Sequence, residues 1–239
     1  MGEQARSSRG ARPPFVRHTG IAAPYMRRDV EVEFIAPLGP DLHILPTGHT
    51  GPGTPEITPH THGENTSPVG HAFEGFRYRT DGSENPDFIL NREPYREASI
   101  LLAGENFGIG TVQGFAVVRL LACGFRVVIA PSFGPVFYDD CIDYGLLPVT
   151  LAPRTVEGFA ERATSRPRVP MTVDLERQVV ERADMDPVPF GIDARLRNRL
   201  LLGSDEMELE ERLEHSDAAR RMRDADRLRR PWLYDDDPP

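Results

Sequence analysis

The hydrophobic residues of this chain form their most regular pattern in its central part. Three almost continuous apolar runs, 98–107, 125–133 and 146–151, have the length and composition of buried strands. The intervening segments, 111–124 and 134–145, are predicted to be helices, the first of them apolar around most of its circumference. Strands that alternate with helices in this way form a parallel sheet with right-handed crossovers. The pattern therefore predicts a β-α-β-α-β core.

Shorter patterns flank this core. Residues 30–34 alternate between apolar and acidic side chains, which predicts a strand. Farther along, 154–164 is typical of a short helix, and 171–181 of two short strands for which a hairpin is one arrangement. Residues 188–203 are typical of a strand followed by a helix. Together these elements indicate an α/β protein.

Three segments lack such periodicity. Residues 1–14 are polar and are predicted to be a disordered tail. From about 38 to 75 the chain is crowded with Pro, Gly, Thr and His, which predicts a long surface loop of the kind that is usually functional or disordered. Residues 204–239 are predicted to form a charged helix and an acidic tail. The folded domain is therefore expected to span 15–203.

Composition and charge limit the class of protein. The chain has 239 residues and a formal net charge of −9, which disfavours nucleic acid as a partner because phosphate binding needs a basic face. No apolar run approaches the ~18 residues that a membrane span needs. No apolar segment follows the basic N-terminal stretch, so a secretory signal is not predicted. We expect a cytoplasmic protein that binds neither nucleic acid nor a membrane.

The potential metal ligands are few and poorly spaced. Cys123 and Cys141 are the only cysteines, and no further Cys or His lies at a ligand-like spacing from them. His60 and His62 form an HxH pair in the long loop, but no third ligand stands nearby. We predict no metal site, and any iron–sulfur cluster would lie on a partner, because two thiols are too few to hold one.

The segment "ENFGIGTVQG" at 105–114 is the main candidate for chemistry. It joins a predicted strand to a predicted helix, and Gly108 and Gly110 allow the backbone to approach a ligand closely. Thr111 is placed to cap the helix, whose N-terminus favours a bound anion. A dinucleotide site is not predicted, because Gln113 occupies the position of the third glycine. We expect this turn to bind the carboxylate of a small anionic di-acid.

Several motifs together resemble the small subunit of 3-isopropylmalate dehydratase, which corresponds to the swivel domain of aconitase. They are "HTGIAAP" at 18–24, "NPDFILN" at 85–91, "GENFGIG" at 104–110 and "GFRVVIAPSFGPVFYDDCIDYGLLPVTL" at 124–151. The resemblance covers most of residues 15–203. It implies a three-layer β/β/α swivel domain within the α/β class, and a role in leucine biosynthesis.

The resemblance also implies a partner and a reaction. In this family a large subunit carries a [4Fe–4S] cluster, and the small subunit closes over it. The expected reaction interconverts 2-isopropylmalate and 3-isopropylmalate by dehydration and rehydration. The cluster would belong to the large subunit, and this chain would bind no cofactor itself.

The site residues follow from two family motifs. In the first, usually GCGSSREHA, the first serine is the base and the arginine grips a carboxylate; here these positions hold Thr111 and Gln113. In the second, usually NVDTDQIIP, two acidic positions appear as Glu31 and Glu33 within residues 29–37. The resemblance assigns catalysis to Thr111 and Glu33, and substrate binding to Gly108, Gly110, Val112, Gln113 and Glu31.

The substitutions in the first motif leave three hypotheses. The chain is a hydro-lyase subunit, with reduced activity or with a different substrate for which His43 or His49 supplies a cation. Alternatively, it is a non-catalytic paralogue that docks on a large subunit and regulates it. As a third hypothesis, it is a stand-alone module that binds another small anion. Loss of function on Thr111→Ala would favour the first hypothesis, and absence of any large partner the third.

Overall fold

The computed structural model describes residues 12–37, 71–110 and 113–203. Several predictions therefore lie outside the described residues. They concern most of the N-terminal tail, most of the long loop with His43, His49, His60 and His62, the residues Thr111 and Val112, and the segment 204–239.

Two four-stranded sheets form the framework of the described part. The strands are β1 (Arg17–Gly20), β2 (Ala22–Tyr25), β3 (Ile100–Ala103), β4 (Val127–Ala130), β5 (Leu147–Thr150), β6 (Met171–Asp174), β7 (Val179–Arg182) and β8 (Met185–Pro189). The α-helices are α1 (Val32–Ile35), α2 (Glu74–Arg77), α3 (Gln113–Ala122), α4 (Pro135–Tyr144), α5 (Pro153–Ser165) and α6 (Ala194–Leu202). Short 3-10 helices occur at Ile89–Asn91 and Tyr95–Glu97. Among the described residues, no helix is long and apolar enough to cross a membrane.

The parallel sheet has the strand order β2-β3-β4-β5. Leu101 pairs with Ala23 on one side and with Val128 on the other, and Val128 pairs with Pro148. Helix α3 connects β3 to β4, and α4 connects β4 to β5. The predicted β-α-β-α-β core is confirmed, with β2 as a further parallel strand at its edge.

The strands of this sheet are apolar throughout because both faces of the sheet are covered. Successive side chains point to opposite faces, so each strand contributes to two clusters. The first cluster joins Leu101, Ala103 and Val128 to Ala116, Val117 and Leu120 of α3. The second joins Ile100, Leu102 and Val127 to Val156 and Phe159 of α5 and to Met171 and Val173 of β6. The parallel sheet thus lies between α3 on one side and α5 with the second sheet on the other.

The second sheet is antiparallel, with the order β1-β6-β7-β8. Strands β6 and β7 form the hairpin that the sequence suggested, with Asp174 paired to Val179. Strand β8 and helix α6 are the predicted strand and helix that follow. Strands β1 and β2 are separated by Ile21 alone, yet they belong to different sheets, so the chain passes from one sheet to the other at this residue.

The strand predicted at residues 30–34 is wrong. Only Glu31 forms a bridge, and Val32–Ile35 is a single turn of helix. The left-handed conformation of Asp29, at a φ of 52°, turns the chain before this segment. Val32, Ile35 and Ala36 are all buried. Their i, i+3, i+4 spacing suits a helical turn, which the alternation of charges concealed.

Arg182 connects α5 to the antiparallel sheet. Its side chain has no exposed surface. The guanidinium donates hydrogen bonds to the carbonyl oxygens of Arg162 (3.0 Å), Arg166 (2.6 Å) and Val169 (2.8 Å). It also donates to Asp184 Oδ1 at 2.7 Å. One buried side chain therefore satisfies several acceptors at the end of α5 and in the segment that follows it.

We predict that Arg182→Met lowers the free energy of unfolding by about 3–5 kcal/mol, because it removes the buried cation that bonds to Asp184 and one donor from each of three carbonyls. Urea denaturation would measure the loss. Arg177→Met is the matched control: Arg177 lies at the turn that joins β6 to β7 and makes an exposed ion pair with Glu181 at 2.7 Å. This control should cost less than about 1 kcal/mol. Equal losses in the two variants would contradict the role assigned to Arg182.

Candidate active site at the glycine turn

The segment that follows β3, residues 104–110, is here called the glycine turn. It is anchored to the segment after β4: the Phe107 N–H donates to Ser132 O at 3.1 Å, and the Gly134 N–H donates to Phe107 O at 2.9 Å. Because β3 and β4 are parallel neighbours, both segments leave the same edge of the sheet. This carboxyl edge is where open α/β sheets bind their ligands.

Gly108 and Gly110 are required by close packing. Gly108 has a φ of 77°, and a Cβ there would run into the Phe137 ring. Gly110 has a φ of 126°, and a Cβ there would lie 2.7 Å from Val32 Cγ2. Larger residues would therefore push the turn away from α4 and α1.

The N–H groups of Gly108 and Ile109 both donate to Val30 O, at 2.8 and 3.1 Å. Ile109 O in turn accepts from the Val32 N–H at 2.8 Å. The first two amides of the predicted anion-binding segment are therefore engaged within the chain. The approach of a substrate carboxylate to Gly108, Gly110 and the residues that follow them stays a prediction.

Both predicted acidic residues lie beside the glycine turn. Glu31 is exposed and forms a parallel bridge with Ile109. The carboxylate of the half-buried Glu33 lies against Gly110: a Cβ on Gly110 would be 2.9 and 3.5 Å from its two oxygens. The two motifs that the resemblance singled out thus meet in space, although about 75 residues separate them in sequence.

Three further predicted site residues, Thr111, Val112 and Gln113, follow Gly110 in the sequence. Thr111 and Val112 lie outside the described residues, directly after Gly110. Gln113 is the first residue of α3. The roles assigned to these three side chains stay predictions.

The carboxyl edge of the parallel sheet also carries a polar cluster that sequence reasoning missed. The Asn106 side chain donates to Asp29 Oδ1 at 2.7 Å and accepts from Ser132 Oγ at 3.2 Å. Close by, Arg28 forms an ion pair with Glu105. The only signal in the sequence was the position of Asn106 in the turn, since asparagine tolerates left-handed backbone.

A cavity of about 640 Å³ opens at this edge, on the side of α5. Its lining includes Met26, Arg28, Glu105, Pro131, Glu157 and Glu161. Three carboxylates and one guanidinium give it mixed charge. Its position at the ends of β2, β3 and β4 places it next to the glycine turn.

The cysteines do not form a ligand set. Cys141 is fully buried, and burial raises the pKa of its thiol well above the usual value. The Cys123 sulfur accepts a hydrogen bond from the Ala72 N–H at 3.2 Å, and burial raises its pKa as well. Among residues 12–37, 71–110 and 113–203, no group of three or more His, Cys, Asp or Glu side chains could hold a metal ion.

An unusual carboxyl group lies on α4, which packs against α3. Burial, together with Asp143 and Asp139 on the same helix, raises the pKa of Asp140 to about 6. Burial also raises the pKa of Tyr144, and Asp140 adds to this effect.

The Tyr144 hydroxyl faces the first turn of α3, where a Cβ on Gly114 would lie 3.3 Å from it. Space at Gly114 is therefore limited.

The fold and the turn define a class of protein. The family described as the aconitase C-terminal domain matches residues 69–154, which include the glycine turn and the parallel core. A solved structure titled as 3-isopropylmalate dehydratase from Methanocaldococcus jannaschii has a similar fold, with a TM-score of 0.53 and 22% identity. The similarity covers 82% of this chain and 95% of that one. The described part is thus an aconitase-type swivel domain.

Curated relatives show to which family of swivel domains this chain belongs. The 3-isopropylmalate dehydratase small subunit of Gluconacetobacter diazotrophicus is 36% identical over 90% of this chain and 93% of its own length. The protein of the same name from Granulibacter bethesdensis is 38% identical over 90% of this chain and 93% of its own length. This chain belongs to the family of 3-isopropylmalate dehydratase small subunits.

We predict that Gly108→Ala destabilises the fold more than Gly82→Ala does. Both glycines have positive φ values, 77° and 80°, so both variants carry the left-handed penalty of about 1–2 kcal/mol. Only at Gly108 does the new Cβ meet an aromatic ring; nothing lies within 4 Å at Gly82. The excess loss at Gly108 should be about 1–3 kcal/mol in urea denaturation. Equal losses would show that the turn can move away from Phe137.

We predict that Asp140→Asn stabilises the protein at neutral pH. A carboxyl group with a raised pKa holds its proton more tightly in the folded state, so its contribution to stability is lost as pH rises from about 4 through about 6. The variant should gain about 1 kcal/mol, or about 2–4 °C in Tm, at pH 7.5 and less at pH 4, after allowance for partial solvent exposure.

Glu157→Gln, an exposed change on α5, is the control for charge removal. It should leave Tm nearly unchanged at both pH values. A gain at Asp140 that does not depend on pH would contradict this account.

Proposed function

We propose that this chain is the small subunit of a two-subunit 3-isopropylmalate dehydratase, a hydro-lyase. The observation that carries the proposal is its similarity to curated small subunits, at 34–38% identity over about nine-tenths of the chain. The meeting of Glu33 with the glycine turn supports it, because the two family motifs lie side by side. The isomerisation of 2-isopropylmalate and 3-isopropylmalate, a step of leucine biosynthesis, is the proposed reaction.

In this proposal the chain supplies the acid–base side of the reaction. The base removes the proton alpha to a carboxylate, the C–O bond to the neighbouring hydroxyl breaks to release water, and a C=C bond forms. Rehydration with the opposite regiochemistry moves the hydroxyl group. Thr111 follows Gly110 directly, and the Glu33 carboxylate lies against Gly110. A carboxylate next to a weakly acidic hydroxyl is the arrangement that helps the hydroxyl give up its proton.

The other half of the site is assigned to a large subunit. The [4Fe–4S] cluster of the proposed enzyme is assigned to that partner, because the two cysteines of this chain are too few to hold one. There it would activate the leaving hydroxyl group. The role of this chain is to orient the carboxylates of the substrate and to hold the proton acceptor.

Gln113 is expected to weaken the grip on the substrate. An arginine holds a carboxylate with two charge-assisted hydrogen bonds, whereas an amide offers neutral donors. Loss of such a contact costs about 2–5 kcal/mol when the partner charge is buried. We therefore propose that the chain acts on isopropylmalate with a high KM, or on a related acid that presents less negative charge at this position.

We predict the following for the anaerobic complex of this chain with the large subunit from its own genome. The absorbance of the unsaturated acid formed from 3-isopropylmalate should report turnover. Thr111→Ala should lower kcat by about 100-fold or more, and Glu33→Gln by about tenfold or more, if they share the proton transfer. Gln113→Arg should lower KM by about tenfold or more, because a charged donor is restored.

Asp81→Ala is the control, since the Asp81 carboxylate accepts hydrogen bonds from Ser83 within its own exposed turn. It should leave kcat and KM unchanged. A stable complex that turns over neither isopropylmalate nor related hydroxy acids would overturn the catalytic proposal. That result would leave a non-catalytic docking subunit.

A further inference from the structure

Three separate segments of the chain meet at Asn106. Its side-chain amide donates to Asp29 Oδ1 at 2.7 Å, and its side-chain oxygen accepts from Ser132 Oγ at 3.2 Å. Its own N–H donates to the same Ser132 Oγ at 2.8 Å. The Asp29 N–H in turn donates to Glu105 O at 2.8 Å. One exposed side chain thus links the glycine turn to the segments that follow β2 and β4.

The backbone at this junction is unfavourable for ordinary residues. Asn106 has a φ of 57° and Asp29 a φ of 52°, both in the left-handed region. Such conformations persist only where surrounding contacts hold them. The hydrogen bonds between Asn106, Asp29 and Ser132 are contacts of this kind. These side-chain hydrogen bonds thus add to the backbone hydrogen bonds that join the same segments, Asp29 N–H to Glu105 O and Phe107 N–H to Ser132 O.

In the sequence, Asp29 and Asn106 lie four residues before the two halves of the candidate site, Glu33 and Gly110 respectively. Gly108 and Ile109 lie two and three residues beyond Asn106, and their N–H groups donate to the oxygen of Val30, one residue beyond Asp29. Farther along the same two segments, the Glu33 carboxylate lies against Gly110. A shift between the segments at Asn106 would therefore be transmitted to the distance between Glu33 and the residues after Gly110.

We propose that Asn106 is a positioning residue for the active site. It acts through the two segments that carry Glu33 and Gly110. Its contribution to the reaction rests on the proposed function above, whereas its contribution to geometry does not. The two are tested by separate measurements.

The geometric test is hydrogen exchange at single amides. Asn106→Gly retains left-handed freedom and removes both side-chain hydrogen bonds. Exchange at the N–H groups of Gly108, Ile109 and Val32 should become about tenfold faster, as expected for the loss of about 1.4 kcal/mol of local protection. Amides of β3 should be unaffected, and Asp81→Ala should change none of them. Unchanged exchange at Gly108 and Ile109 in Asn106→Gly would overturn the proposal.

An exchange of partners gives a sharper test. Asn106→Asp places two carboxylates together and should accelerate the same amides by about tenfold, within the range of coupling between contacting residues. The double variant Asp29→Asn with Asn106→Asp restores one amide donor and one carboxylate acceptor with their positions reversed. It should return exchange to within about twofold of the original protein. A double variant no better than Asn106→Asp alone would overturn the proposal.

The functional test uses the complex with the large subunit. Asn106→Asp should lower kcat by about tenfold, because it changes the distance between Glu33 and the residues after Gly110, and the exchanged double variant should recover. If the original complex turns over, unchanged kcat in Asn106→Asp would overturn the catalytic part of this proposal. If the original complex does not turn over, the proposed function fails, and the exchange measurements alone decide the geometric part.

Discussion

One carbonyl group fixes the relation between the two halves of the candidate site. Val30 O accepts both the Gly108 and the Ile109 N–H, so two segments that are distant in sequence are held in a single register. The bridge between Glu31 and Ile109 continues that register, and the helical turn that follows brings Glu33 to Gly110. On the opposite side the Phe137 ring limits where Gly108 can lie. The site geometry is therefore set by backbone contacts that do not depend on the side chains expected to do the chemistry.

The helix that follows the glycine turn is likewise held by contacts away from the candidate site. Helix α3 is held by Ala116, Val117 and Leu120, which pack on the parallel sheet. Gln113 is the first residue of α3 and precedes these three positions. Tyr144, which limits space at Gly114, is the contact through which further changes in the loop would reach α4.

The elements that the sequence predicted correctly are those whose side chains are buried on every side. Strands β3, β4 and β5 are buried on both faces, and burial alone demands continuous apolar runs. Strands β1 and β2 escaped prediction because "RHTG" and "AAPY" are short and carry little pattern. The alternation at 30–34 misled because its charges concealed the helical spacing of the buried Val32, Ile35 and Ala36. Asn106 escaped prediction because its partners, Asp29 and Ser132, are remote in sequence.

The passage of the chain from one sheet to the other at Ile21 has a consequence for folding. Strand β2 can pair as soon as β3 exists, but Arg17 in β1 pairs with Asp174. Loop closure over such a span slows folding, because entropy is lost before the contact forms. During synthesis on the ribosome, β1 must therefore wait unpaired until β6 has emerged. The first strand of the described residues is thus among the last to be paired.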